Sequence, residues 1–200
     1  MIIDCIQGSD EWLSARLGKI TASCFSDVLC KGSGRYTYML KLAAERLTGQ
    51  TQKSYTNGAM QMGTETEPEA RAYYEALNNV TVKQVGFIEL DEDTGGSPDG
   101  LVNEDGIIEI KCPNSTTHIA TILSNKMPTE HNSQAQGLLW ISGRQWCDFI
   151  SFDPRMKDRK FWSIRIYRDE KHIMILQEAV KQFVKELHEL INKINPTMPF

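Results

Sequence analysis

The chain has 200 residues, 40% of them hydrophobic and 24% charged, with a formal net charge of −4. That length and composition suit a soluble globular protein with one sizeable core, expected as a single domain over 1–200. They exclude a simple basic nucleic-acid coat, but not a local basic lining that holds phosphates.

No apolar run is long enough to cross a membrane, and Met1–Gly18 does not read as a signal peptide. The five cysteines, Cys5, Cys24, Cys30, Cys112 and Cys147, form no C-x-x-C pair. That argues against a zinc or iron–sulfur site and against a disulfide framework, and it fits a reducing cytoplasm. The four histidines show no ligand spacing and read as surface or helix residues.

Ser9–Leu17 reads as a first helix, capped by Ser9 or Asp10 and ended by Gly18. Thr21 or Ser23 opens a second helix carrying Phe25, Val28 and Leu29. Gly32–Gly34 reads as a loop and Thr37–Leu47 as a third helix with Gly49 as its stop. Gln50–Asn57 is polar. Met60–Leu77 carries an acidic face of Glu65, Glu67, Glu69 and Glu75, and Pro68 places the start of the helix proper near itself. Acid near a helix N-terminus is ordinarily a solvated face that favours the helix dipole. Met60, in the stretch Ala59–Met62, reads first as core packing and second as an apolar wedge for a duplex end.

Val80–Leu90 reads as one strand leading into Gly95–Pro113, GGSPDGLVNEDGIIEIKCP. Turn residues Gly96, Pro98 and Gly100, and then Asp105 and Gly106, suggest a hairpin with one strand ending near Asp99 and the next running from Ile107 to Lys111. Alternation puts Glu109 and Lys111 on one face and Ile110 on the other. Two carboxylates beside an ammonium suit a hard divalent cation that keeps several waters, with Lys111 beside a bound water. A plain Glu109–Lys111 salt bridge with Asp99 as a turn residue is the alternative, and spacing alone leaves both open.

Ser115–Leu123 reads as a short helix and Glu130–Ile141 as a longer one, followed by strands at Trp146–Phe152 and Lys160–Tyr167. The loop Pro154–Lys160 carries Arg155, Lys157, Arg159 and Lys160, either a solvated turn or a phosphate-tracking patch. Asp169 to Ile194 is a long amphipathic helix. The order of elements predicts an α/β protein, a mixed sheet flanked by helices, without repeat or interdomain linker.

SPDG followed ten residues later by EIKCP resembles the PD-(D/E)xK nucleases, and most closely the bacteriophage lambda exonuclease group, also called YqaJ-like viral recombinases. RLGKITAS at Arg16–Ser23, the glycine-led acidic helix at Gly63–Glu75, SQAQ at Ser133–Gln136 and FDPRM at Phe152–Met156 follow in that family's order. The resemblance implies a restriction-endonuclease-like core. Asp99, Glu109, the Ile110 carbonyl and Glu67 resemble the metal ligands, Lys111 the catalytic lysine, and Gln134 the glutamine bordering the site. Arg16, Ser23 and Ser97 resemble a pocket for a 5′-terminal phosphate.

The implied activity is Mg²⁺-dependent 5′-to-3′ digestion of one strand of linear duplex DNA, leaving a 3′ tail. Mn²⁺ is expected to substitute and Ca²⁺ to inhibit. A homotrimeric ring, a single-strand annealing recombinase partner and a phage or prophage setting in a bacterial cytoplasm are implied likewise. The rival expectations are a structure-specific or restriction-type endonuclease of the same superfamily and a non-catalytic DNA-end-binding module.

Overall fold

A computed structural model of the chain describes residues 1–52 and 58–196; the side chains of 58–62 and 64 also lie outside the description. The expected single mixed sheet is two sheets flanked by helices. The first holds β1 (Ile2–Ile3), β4 (Phe87–Glu89), β5 (Thr94–Gly96) and β2 (Ile20–Thr21), side by side in that order. The second runs β3 (Val82–Lys83), β6 (Gly100–Val102), β7 (Gly106–Lys111), β8 (Trp146–Phe152) and β9 (Phe161–Tyr167). Both are mixed: β2 pairs in parallel with β5, and β7 in parallel with β8, while the other pairings are antiparallel.

The expected continuous strand Val80–Leu90 is therefore two strands serving different sheets. The chain switches at Gly86, where any β-carbon would sit 2.3 Å from the Cys5 sulfur, so only glycine lets the two backbones meet. The hairpin also differs from the expected one. Its turn is Asn103–Asp105, with Asn103 left-handed at φ 49°, and Asp99 stands just before β6 instead of at a strand end. Gly106 begins β7 under the Trp146 ring; a β-carbon there would come within 2.1 Å of it. Gly106→Ala is expected to overpack this contact by about 1–3 kcal/mol. For a chain of this size that lowers the melting temperature by roughly 2–12 °C, measurable by calorimetry; an unchanged midpoint contradicts it.

The helices are α1 (Asp10–Arg16), α2 (Phe25–Leu29), α3 (Ser33–Thr48), α4 (Gly58–Asn78), α5 (Ser115–Ser124), α6 (Asn132–Ser142) and α7 (Glu170–Ile194). The Ser9 hydroxyl caps α1 by accepting from the Trp12 amide, and the Asp169 carboxylate caps α7 by accepting from Lys171 and His172. The expected second helix is short because Ile20–Thr21 is taken up as a strand beside Thr94–Gly95 and Ala22–Cys24 winds as a 3₁₀ turn. Helix α3 starts at Ser33, inside the expected loop, and ends on left-handed Gly49. Helix α4 runs straight through Pro68. Proline costs the helix a hydrogen bond there. Burial of Ala70 and Tyr74 on the next turns keeps α4 docked.

Two apolar clusters lie on opposite faces of the second sheet. Ile107 and Cys147 face a cluster built with Phe25, Leu138, Leu139 and the α7 stripe Leu176, Val180, Phe183, Leu187 and Ile191. Ile108, Ile110 and Ile150 face the other, with Ala70 and Tyr74 of α4. Each such buried side chain contributes about 1.5–3 kcal/mol. His118, expected at a surface or on a helix, is on α5 and fully buried, bonded to the Ser151 hydroxyl and the Arg159 carbonyl. The five cysteines are free thiols. No helix among the described residues is long and apolar enough to cross a membrane.

Candidate active site

Strand β7 sets the site. Its alternation sends Ile108 and Ile110 into the α4-side core and leaves Glu109 and Lys111 on the other face. There the connection from β7 to the parallel strand β8 lays α6 across them and delivers Gln134. The Lys111 ammonium donates to Glu109 Oε1 at 2.6 Å and to Gln134 Oε1 at 3.2 Å. Gln134 Nε2 donates to the same Glu109 oxygen at 2.5 Å, so the amide bridges the ion pair and its orientation follows from its partners. Asp99 Oδ2 accepts the Ile110 amide at 2.5 Å, which ties the start of β6 to β7. The Ile110 side chain is in the core, so its backbone is what it offers the site.

Glu109 is 1% exposed, and its second oxygen, Oε2, is buried without a hydrogen-bond partner. An orphaned carboxylate oxygen at that depth is costly unless something positive meets it. Burial, and then the charges of Glu109 and Glu67, push the Asp99 carboxyl well above its ordinary range. Burial alone would pull Lys111 down; the Glu109 and Asp99 carboxylates outweigh it and hold the ammonium above its usual value. Crowded carboxylates with an unmet oxygen are what a hard cation relieves, so the donor set fits one.

Glu67 is not gathered into the same tight set. It ion-pairs with Arg71 one turn along α4. Burial raises its carboxyl, Arg71 opposes that rise, and Glu109 adds to it, so Glu67 lies within electrostatic reach of the other acids without touching them. Among the described residues no three His, Cys, Asp or Glu side chains converge as a ready-made metal cage. The expected three-carboxylate set is thus two carboxylates at β6–β7 and a third, Glu67, paired with Arg71 within electrostatic reach of them.

Arg16, Ser23 and Ser97 come together. They line one cavity of about 200 Å³ with Gln7, Trp12 and Gln134. Arg16 lies over the Trp12 ring, 4.1 Å from its centroid, and donates a long 3.4 Å bond to Ser97 Oγ. Trp12 Nε1 donates to Ser97 Oγ at 2.9 Å and to the Gly86 carbonyl at 3.1 Å. Ser97 thereby accepts from two donors, which leaves its own proton to give. Arg16 forms no ion pair with a carboxylate among the described residues; burial pulls its guanidinium below the ordinary value, and the Glu45 charge opposes that only in part. Ser23 is exposed and shares a hydrogen bond with Thr21 at the 3₁₀ turn rather than capping a long helix.

The side chain of Met60 lies outside the described residues, as does much of Gln50–Asn57. In the basic loop, Arg155 is committed to Asp153 and to the Pro113 carbonyl, which pins the segment after Lys111. Sequence reasoning missed Trp12, Gln7 and Arg71. Trp12–Arg16 and Glu67–Arg71 are i,i+4 pairs on helices, a visible signal. Gln7, which donates to the Val85 and Pro98 carbonyls, gives none.

Residues 11–145 match the model of the YqaJ-like viral recombinase domain. The chain is similar to an alkaline exonuclease from Laribacter hongkongensis, 43% identical with a TM-score of 0.90, over 94% of this chain and 97% of that one. A structure of that exonuclease in complex with dAMP is 44% identical at the same TM-score and coverage. A phage-related exonuclease from Haemophilus somnus, 18% identical with a TM-score of 0.69 over 88% of this chain and 96% of its own, shares the fold.

Proposed function

This chain belongs to the YqaJ-like viral recombinase family; it is a nuclease of the lambda exonuclease type, and we propose that it digests one strand of linear duplex DNA from the 5′ end with a divalent metal ion, Mg²⁺ or Mn²⁺. One observation supports action at a strand end. The cavity lined by Arg16, Ser23 and Ser97 is closed on one side by Gln134, and Gln134 is bonded to Glu109 and Lys111. A terminal phosphate in that cavity therefore sits next to the carboxylates, which suits an enzyme that removes the end of a strand.

Asp99 and Glu109 would hold the metal, with Glu67 reaching it through water and the Ile110 carbonyl as a further ligand. A divalent ion held there would supply charge stabilisation to the attacking and leaving oxygens of an in-line displacement. Lys111, kept protonated by two carboxylates, orients the attacking water and meets developing charge. Gln134 keeps Lys111 and Glu109 in register. Arg16 and the Ser97 hydroxyl hold the terminal phosphate, and Trp12 holds both in place.

The 3′ tail left behind is the substrate class of a single-strand annealing recombinase, which makes such a protein the proposed partner. A homotrimeric ring around the duplex would keep the enzyme on its substrate. The setting proposed is phage or prophage DNA in a bacterial cytoplasm.

The decisive experiment is digestion of linear duplex DNA labelled at either end, with and without Mg²⁺, beside a covalently closed circle. Release of 5′-end label only, stopped by chelation or by Ca²⁺, is expected. Cutting of the circle would favour the endonuclease instead, and light scattering at the mass of a single 22.7 kDa chain would exclude the ring.

A further inference from the structure

We infer that Arg71 is a positioning residue for the metal site: it clamps one oxygen of Glu67 so that the other is presented toward Asp99 and Glu109. The inference rests on the functional reading above and names a residue that reading does not use. Arg71 is 9% exposed, one turn beyond Glu67 on α4, and its Nη2 donates to Glu67 Oε1. The Gln84 amide, with its oxygen toward the guanidinium, accepts from Nη1 at 2.9 Å and from Nη2 at 3.2 Å. The guanidinium is thus fixed from two sides, by α4 itself and by the segment between β3 and β4.

The cost of this arrangement argues that it serves something other than stability. Arg71 Nε is buried without a partner. A buried ion pair replaced as a whole by apolar side chains usually loses little stability, so the Glu67–Arg71 pair is poorly explained by folding alone. Without it, Glu67 would stand on a half-exposed helix face within range of the Glu109 and Asp99 charges, which repel it. A carboxylate repelled by its neighbours swings away to solvent. A fork anchored at both ends holds it near them and fixes which oxygen faces them, as outer residues do around other metal sites.

Calorimetric titration of the DNA-free protein with Mn²⁺ tests this without reference to turnover. Arg71→Met is expected to weaken Mn²⁺ binding about 10–100-fold. Arg71→Lys, which keeps the charge and loses the fork, should restore part of it. In a Glu67→Gln background Arg71→Met should cost nothing further, because the group it positions is already altered. An equal loss in both backgrounds would mean a purely structural role and overturn the inference, as would wild-type affinity in Arg71→Met. If Arg71→Met does not fold, Gln84→Met releases the other side of the clamp and is expected to weaken Mn²⁺ binding more modestly. Unchanged binding in both Gln84→Met and Arg71→Lys then overturns it. A wild-type chain that binds no divalent ion removes the functional reading itself, a different outcome from a wild type that binds and an Arg71→Met that binds equally.

Discussion

Glu109→Ala is expected to abolish DNA cleavage and weaken divalent-metal binding together, while Lys111→Ala abolishes cleavage and keeps most of the metal affinity. The two side chains share one hydrogen bond, yet they are asked to do different things. Glu109 offers Oε1 to Lys111 and Gln134 and keeps Oε2 unmet in a buried position. Removing it deletes the proposed ligand and also frees Lys111 and Gln134 from their shared anchor. Lys111 carries no lone pair for a metal when protonated; its loss removes proton management and charge stabilisation, worth about 10²–10⁴-fold in rate. Single-turnover cleavage of a labelled linear duplex, with Mg²⁺ binding by calorimetry on the same preparations, separates the two. Lys111→Ala with near wild-type rates, or Glu109→Ala with undiminished metal binding, would falsify these roles.

Arg16→Ala is expected to erase the preference for a phosphorylated over a hydroxyl 5′ end. Arg16 is held over Trp12 and beside Ser97, in a cavity lined by no carboxylate among the described residues. A charge-assisted contact to the phosphate contributes about 1.5–3 kcal/mol, so initiation on phosphorylated ends should slow roughly ten- to a hundredfold. Rates on hydroxyl ends should change little, because that contact was never made there. The ratio of initial rates on the two kinds of end reads the effect directly, and a ratio that survives the substitution removes Arg16 from the pocket.

Local pattern made much of this legible. The run Trp146–Phe152 is strand β8 to the residue because it is a short, mostly apolar run of the kind a strand buried on both faces needs, and the α7 stripe is the buried one because it repeats the helical period over many residues. The Glu109–Lys111 pairing followed from alternation alone. The break at Gly86 did not, since it depends on Cys5, which arrives from the other end of the chain. Pro68 misled for a related reason: its local penalty on α4 is outweighed by packing of Ala70 and Tyr74 against strands not yet known. Asp99 was placed at a turn, but its bond to the Ile110 amide became visible only with the register of β6 and β7. The Glu67–Arg71 pair was not singled out because an i,i+4 acid–base pair within an acidic run is the ordinary pattern of a solvated helix face.

The two halves of the site close over very different spans of chain. Asp99 and Ile110 are 11 residues apart, whereas Arg16 and Ser97 are 81 apart and Trp12 and Gly86 are 74 apart. Loop-closure entropy rises with the logarithm of that span, so the Arg16–Ser97 closure costs about 2 kcal/mol more than the Asp99–Ile110 one. During folding the hairpin that bears the acids can form from its own neighbourhood, while the pocket waits for α1 to dock across the whole N-terminal half. The proposed metal-binding acids are thus assembled from local contacts and the proposed phosphate pocket from distant ones. On that arithmetic, loosening of α1 is expected to cost the proposed end selectivity before it costs the Asp99–Ile110 closure.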